Sequence, residues 1–240
     1  MFTKEHLIWI GLCVVFVALM TLICVKRSLS LRRAGYIMTA ICVLSETSKT
    51  MGEMVESSGG GMVLDPRSLP FHLCSLMLFG VLIITFGKDG AVKQWLINFM
   101  AVAGVLGSIC AILIPTNGTD FRDIGSYQCF VYHAGLLWFS LYLIISKNAH
   151  LGGKTLFRNL LLLGCFTLAM LYINSILSMY NTNFMFLVRP PMKNLPILNL
   201  DDGWDMYFLR LSGIGLSVVS LYHLPFIIAE RMKNRRDKTQ

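Results

Sequence analysis

Seven apolar stretches, at residues 7–25, 35–52, 70–86, 95–115, 126–146, 160–180 and 204–229, follow one another with short polar segments between them. A helix that crosses a bilayer of about 30 Å needs roughly 20 residues at 1.5 Å per residue. The chain therefore reads as an all-α, polytopic membrane helix bundle of about seven transmembrane helices, in one transmembrane domain over 1–240 that ends in a basic tail at 230–240. The connections are too short to build a second core. Composition agrees: 55% of residues are hydrophobic and 14% charged, far from the usage of a soluble globular domain. The first stretch is not read as a cleaved signal, because its positive charge follows the apolar run as "KRSLSLRR" and no A-x-A site is present.

Orientation follows from the loop cations. Lys26, Arg27, Arg32 and Arg33, then Lys88 and Lys93, then Lys147, Lys154 and Arg158, and the tail "ERMKNRRDKTQ" all fall on one side. The other side has Arg67, Arg122, Arg189 and Lys193, diluted by Glu53, Glu56, Asp65, Asp120, Asp123, Asp201 and Asp202. The bias puts the N-terminus outside and the C-terminus in the cytoplasm. It also accounts for the formal net charge of +8 without invoking nucleic acid.

All seven cysteines fall in the predicted helices, and no pair has zinc-type spacing, so neither a disulfide scaffold nor a metal site is expected. No Gly-rich phosphate loop, GxSxG elbow, HExxH or internal repeat is present. "SSGGGMVLDP" at 57–66 reads as a flexible outer loop.

What remains are the polar residues inside the spans, each a candidate site because ionisable groups at that depth face an interior or a wet cavity. Glu46 and Lys49 lie near the outer end of the second span, and His72 and Cys74 near the outer end of the third. His133 is about two turns into the fifth span, Asn174 and Asn181 share a face at the end of the sixth, and Arg210 is about two turns into the seventh. All lie in the outer half; His223 alone is near the inner face. Each has a plainer reading. Glu46 and Lys49 can neutralise one another at i, i+3. Arg210 can snorkel, the asparagines can bridge helices, and His133 can be a satisfied interior histidine. Their convergence from five helices at one depth points to a polar chamber that opens toward the outer leaflet.

The stretch "LPFHLCSLMLFG" at 69–80 carries the chemistry. Ser68 is expected to cap the third helix and Pro70 to sit in its first turn, which leaves Cys74 close to a helix N-terminus. The dipole there favours a thiolate, but it fades beyond the first turn and a base is needed. Residues two apart on a helix point about 200° from one another, so the base is expected from another helix and not from His72. His133 is the other histidine at that depth, and a Cys with a His from elsewhere in the fold suits a covalent thioester route.

"LPFHLCSLMLFG", the histidine of "VYHAGLLWF" at 131–139 and "YNTNFMFL" at 180–187, in that order, resemble the YwaF family of bacterial membrane proteins. That family is related to the eukaryotic transmembrane protein 164 acyltransferases. The likeness runs from the third span through the seventh. It implies a multi-helix bundle and transfer of fatty acyl groups onto lysophospholipids by a cysteine assisted by histidine, at the positions of Cys74 and His133. His72 and the "NTNF" asparagines share the pattern. More distantly the family is similar to androgen-induced hydrolases of fatty-acid esters, which use threonine where this chain has cysteine.

The reading is a lipid acyltransferase or acyl hydrolase that acts on an outer-leaflet ester, with Cys74 as nucleophile and His133 as general base and then acid. Asn174, Asn181 or Asn183 would supply oxyanion donors, and Lys49, Arg189 and Arg210 a headgroup clamp. Glu46 and His72 line the same chamber. No metal or dissociable cofactor is implied, and the partners are membrane lipids, in a bacterial plasma membrane. The alternative is a small transporter or lipid-binding protein; it should carry polar residues through to the cytoplasmic face, where the sequence offers little beyond His223.

Overall fold

A computed structural model describes residues 2–56, 59–192 and 195–237, so Lys193 and the last three residues of the tail lie outside the described residues. It contains seven α-helices: α1 Lys4–Lys26, α2 Leu31–Gly52, α3 Leu73–Phe86, α4 Ala91–Leu113, α5 Ile124–Ile145, α6 Gly153–Ile176 and α7 Trp204–Arg236. Five of them, α1 and α4–α7, are long and apolar enough to cross a membrane. The chain is an integral membrane protein. α2 has the length, with 22 residues, but carries Arg32, Arg33, Glu46 and Lys49. Side-chain hydroxyls or carboxylates start three of the helices: Thr3 accepts from the His6 N–H, Ser30 from Arg33 and Asp123 from Gly125.

α5 is the axis of the bundle. It packs against α1, α2 and α4, and more than half of its residues are buried. Close approach relies on small side chains: a Cβ on Gly104 of α4 would collide with Ser140 Oγ of α5. The N-terminal end of α1 is clamped by stacking of Trp9 on Phe130 at 4.8 Å and by His6, whose Nε2 lies 2.8 Å from the Ile112 carbonyl. The Phe2 N–H donates to His6 Nδ1, so the neutral ring donates through Nε2. α6 and α7 pack on α4 and on each other and leave wide apolar faces outward.

Several boundaries differ from the sequence expectation. Of the flexible outer loop expected at 57–66, residues 57 and 58 lie outside the described residues, and Met62–Leu64 (β2) pairs antiparallel with Met54–Glu56 (β1), Val55 opposite Val63. The third helix starts at Leu73, three residues later than expected, and its 14 residues span only about 21 Å. Pro70 is the cause. A residue before proline is pushed out of the α region, and Leu69 has φ −54° and ψ 147°. Ser68 therefore caps nothing on α3; it ends a 3-10 turn at Pro66–Ser68 and donates to Glu53 Oε2 at 3.0 Å. α6 ends at Ile176, so Asn181 lies outside it and shares no helix face with Asn174.

Candidate functional site

The later start of α3 makes His72 its N-cap, in extended conformation with no side-chain capping bond, and puts Cys74 in the first turn. Cys74 is half-buried. Its backbone carbonyl accepts the Tyr132 hydroxyl of α5, which ties the start of α3 to the axis of the bundle. From α2, Lys49 Nζ donates to Glu46 Oε1 at 3.0 Å and to Ser75 Oγ at 3.4 Å. The pair is largely enclosed, with side chains 17% and 23% exposed. One turn back, Gln128 of α5 donates to Ser45 of α2 at 2.7 Å. Glu46, Lys49 and Cys74 are thus gathered at one α2–α3–α5 junction, with Ser75 and Tyr132 completing it.

His133 is buried on α5. Its Nδ1 lies 2.7 Å from the Cys129 carbonyl oxygen, and Cys129 Sγ is 3.6 Å away. A carbonyl can only accept, so in the neutral ring Nδ1 carries the proton and Nε2 the lone pair. Among the described residues nothing hydrogen-bonds to that Nε2, and no hydrogen bond joins His133 to Cys74. The His133 ring meets the ring of Tyr132, the preceding residue of α5, edge-on at 5.2 Å.

The remaining candidates form a second group beside the first. Asn174 of α6 binds the backbone of Phe184 through both amide atoms, at 2.8 and 3.1 Å. Asn183 Oδ1 accepts the N–H groups of Val188 and Arg189, and its Nδ2 donates to the Arg189 carbonyl. Arg189 in turn donates to the Asn181 carbonyl at 2.7 Å. These side chains hold the 181–189 loop in shape. Asn181 and Met185 adopt left-handed backbone within it, at φ 55° each. His72 joins the loop to α3, since its ring meets Phe184 at 5.6 Å and Phe186 at 5.2 Å. Arg210 is engaged elsewhere, with Asp202 and, at 3.2 Å, Asn199. On the neighbouring surface the Arg67 guanidinium holds the Asp65 carboxyl below the ordinary carboxylate range.

The opposite end of the bundle is less apolar than the sequence suggested. His223 is fully buried and its Nε2 receives the Asn159 amide at 3.1 Å; that amide also reaches the Asn98 carbonyl at 3.4 Å. Asn98 Oδ1 accepts from the His150 N–H at 2.8 Å. Asn98 and Asn159 were not singled out from the sequence, nor were Ser75, Gln128 and Tyr132. Each was legible as a polar residue within an apolar run, but nothing local marked it as facing the interior. Among the described residues no three His, Cys, Asp or Glu side chains converge as metal ligands.

The TMEM164 family model matches residues 1–223, nearly the whole chain. The protein belongs to that family. No curated protein and no solved structure matches it.

Proposed function

We propose that this TMEM164-family membrane protein moves fatty acyl groups from lipid esters through Cys74, onto a lysolipid hydroxyl or onto water. The observation that carries the reading is the position of Cys74, half-buried in the first turn of α3, where the helix dipole acts on an anion with most effect. The sequence resemblance to the bacterial YwaF branch and to cysteine-dependent acyltransferases supports the same residue.

In the first half-reaction His133 Nε2 takes the proton of the Cys74 thiol, and the thiolate attacks the ester carbonyl carbon. A C–S bond forms, the lipid C–O bond breaks, and the leaving alcohol takes its proton from the His133 imidazolium. In the second, a lysolipid hydroxyl or water gives its proton to His133 Nε2 and attacks the thioester, which releases the thiolate. The Cys129 carbonyl holds the ring in the tautomer this requires. Arg189 and Arg210 supply headgroup cations at the same end of the bundle, and the loop asparagines fix the wall against which the acyl ester is presented. The lipid comes from the leaflet on the N-terminal side, which the loop cations orient outward.

The test is purified protein in vesicles of phosphatidylethanolamine and phosphatidylglycerol with an isotope-labelled lysophospholipid. Labelled diacyl product or free fatty acid should appear with the wild type and vanish with Cys74→Ala, and a hydroxylamine-labile acyl adduct should form on Cys74. Turnover retained by folded Cys74→Ala would overturn the covalent route. A transporter or lipid-binding protein is the second reading, favoured by the buried Asn98–Asn159–His223 group, which extends polar contacts toward the other face.

A further inference from the structure

We propose that Lys49 is the fixed counter-cation of the Cys74 thiolate, a positioning residue held in place by Glu46 and Ser75. The inference rests on the reading of Cys74 as nucleophile and adds the group that keeps it charged.

The sequence directs attention to a histidine as the partner of Cys74, but the hydrogen bonds at the junction lead to α2. Lys49 has its ammonium between Glu46 Oε1 at 3.0 Å on its own helix and Ser75 Oγ at 3.4 Å on α3, the residue next to Cys74. Glu46 on the preceding turn pairs with the ammonium and restrains its flexible stem. Ser75 accepts from Lys49, which leaves its own O–H free to donate toward the thiolate. Ser75 is buried and Lys49 nearly so, and the Coulomb attraction between an ammonium and a thiolate is several-fold stronger in such a setting than in water.

The ionisable groups at the junction are few. α2 carries Cys42, Glu46 and Lys49, α5 carries Tyr132, and His72 stands at the cap of α3. Tyr132 is already committed to the Cys74 carbonyl. His72 faces the aromatic rings of the 184–186 segment. Glu46 holds the Lys49 ammonium from one side, through Oε1, and Ser75 meets it from the other. Lys49 is therefore the cation that can balance a sulfur anion here, and the first-turn amides of α3 add to it. A division of labour follows: Lys49 balances the charge of the thiolate, and His133 moves the protons of the thiol and the alcohols.

The experiment is the rate of Cys74 alkylation by a membrane-permeant maleimide against pH, in the full chain in vesicles, read at the Cys74 peptide by mass spectrometry. Lys49→Gln should move the midpoint upward by about one pH unit, so that alkylation near neutral pH is roughly tenfold slower, since one unit is a tenfold change in thiolate. Lys49→Arg, which keeps the charge, should restore most of the rate, and Ser75→Ala should slow it about threefold. An unmoved pH profile in Lys49→Gln, or equal slowing in Lys49→Arg, overturns the proposal. If Lys49→Gln fails to fold, Lys49→Arg against Ser75→Ala makes the same decision. Alkylation needs no turnover: acyl transfer surviving in Cys74→Ala, with the alkylation shift still present, would overturn the nucleophile reading alone and leave the Lys49–Cys74 coupling supported.

Discussion

The side chain of Asn174 completes the backbone of Phe184: its Oδ1 takes the Phe184 N–H at 2.8 Å and its Nδ2 gives to the Phe184 carbonyl at 3.1 Å. Both residues are buried, so neither backbone group has water as a substitute.

Asn174→Ala should therefore cost more than an ordinary helix substitution. Each buried group left without a partner costs about 1–3 kcal/mol, and the loss falls on the 181–189 loop. Thermal unfolding in detergent should shift down, and limited proteolysis should become faster within 181–189 than elsewhere. Asn174→Asp keeps the acceptor for the N–H and should lose less. Equal stability of Asn174→Ala and wild type would remove the asparagine's structural role and return its amide to the chamber.

Cys74 and His133 should behave as one catalytic unit in spite of their separate hydrogen bonds. Cys74→Ala and His133→Ala should each remove most acyl turnover, and the double variant should be little worse than either, because groups that act together are not additive. Initial rates of the four proteins under one lipid composition give the answer. Multiplied losses in the double variant would separate the two residues.

An outward N-terminus, as the distribution of loop cations implies, predicts a labelling pattern. Single cysteines placed in 53–68, 116–125 and 182–203, in a background without accessible native thiols, should react with an impermeant maleimide on intact cells. Those in 88–93 and 147–158 should react only after permeabilisation. The reverse pattern would move the α2–α3–α5 junction to the inner leaflet.

Arg210 offers a test of headgroup binding. Its two terminal nitrogens engage Asn199 and Asp202, a planar arrangement that lysine cannot reproduce. Arg210→Lys should impair turnover of phospholipid severalfold more than Arg122→Lys, a change at an exposed loop residue. Because the Asp202 pair is partly exposed, its own contribution to stability should stay below about 1 kcal/mol, so thermal unfolding should barely move. A large fall in unfolding temperature with unchanged turnover would make Arg210 an anchor for the 199–202 turn.

The membrane class, the seven helices and most of their ends were legible in the sequence because they depend on local quantities. Bilayer thickness fixes how long an apolar run must be, and hydropathy is summed over neighbours in the chain. The extended backbone of Leu69 before Pro70 is likewise a local effect, although the cap of α3 was expected at Ser68 and stands at His72. The partners of the polar residues were decided only by packing. Lys49 and Ser75 are 26 positions apart and Tyr132 and Cys74 are 58 apart, so no periodicity relates them. The same packing turned Asn174 and Asn183 toward backbone groups and gathered Asn98 and Asn159 near His223. In a medium without water a polar side chain must find its partner within the protein, and which one it meets depends on which helix faces come together.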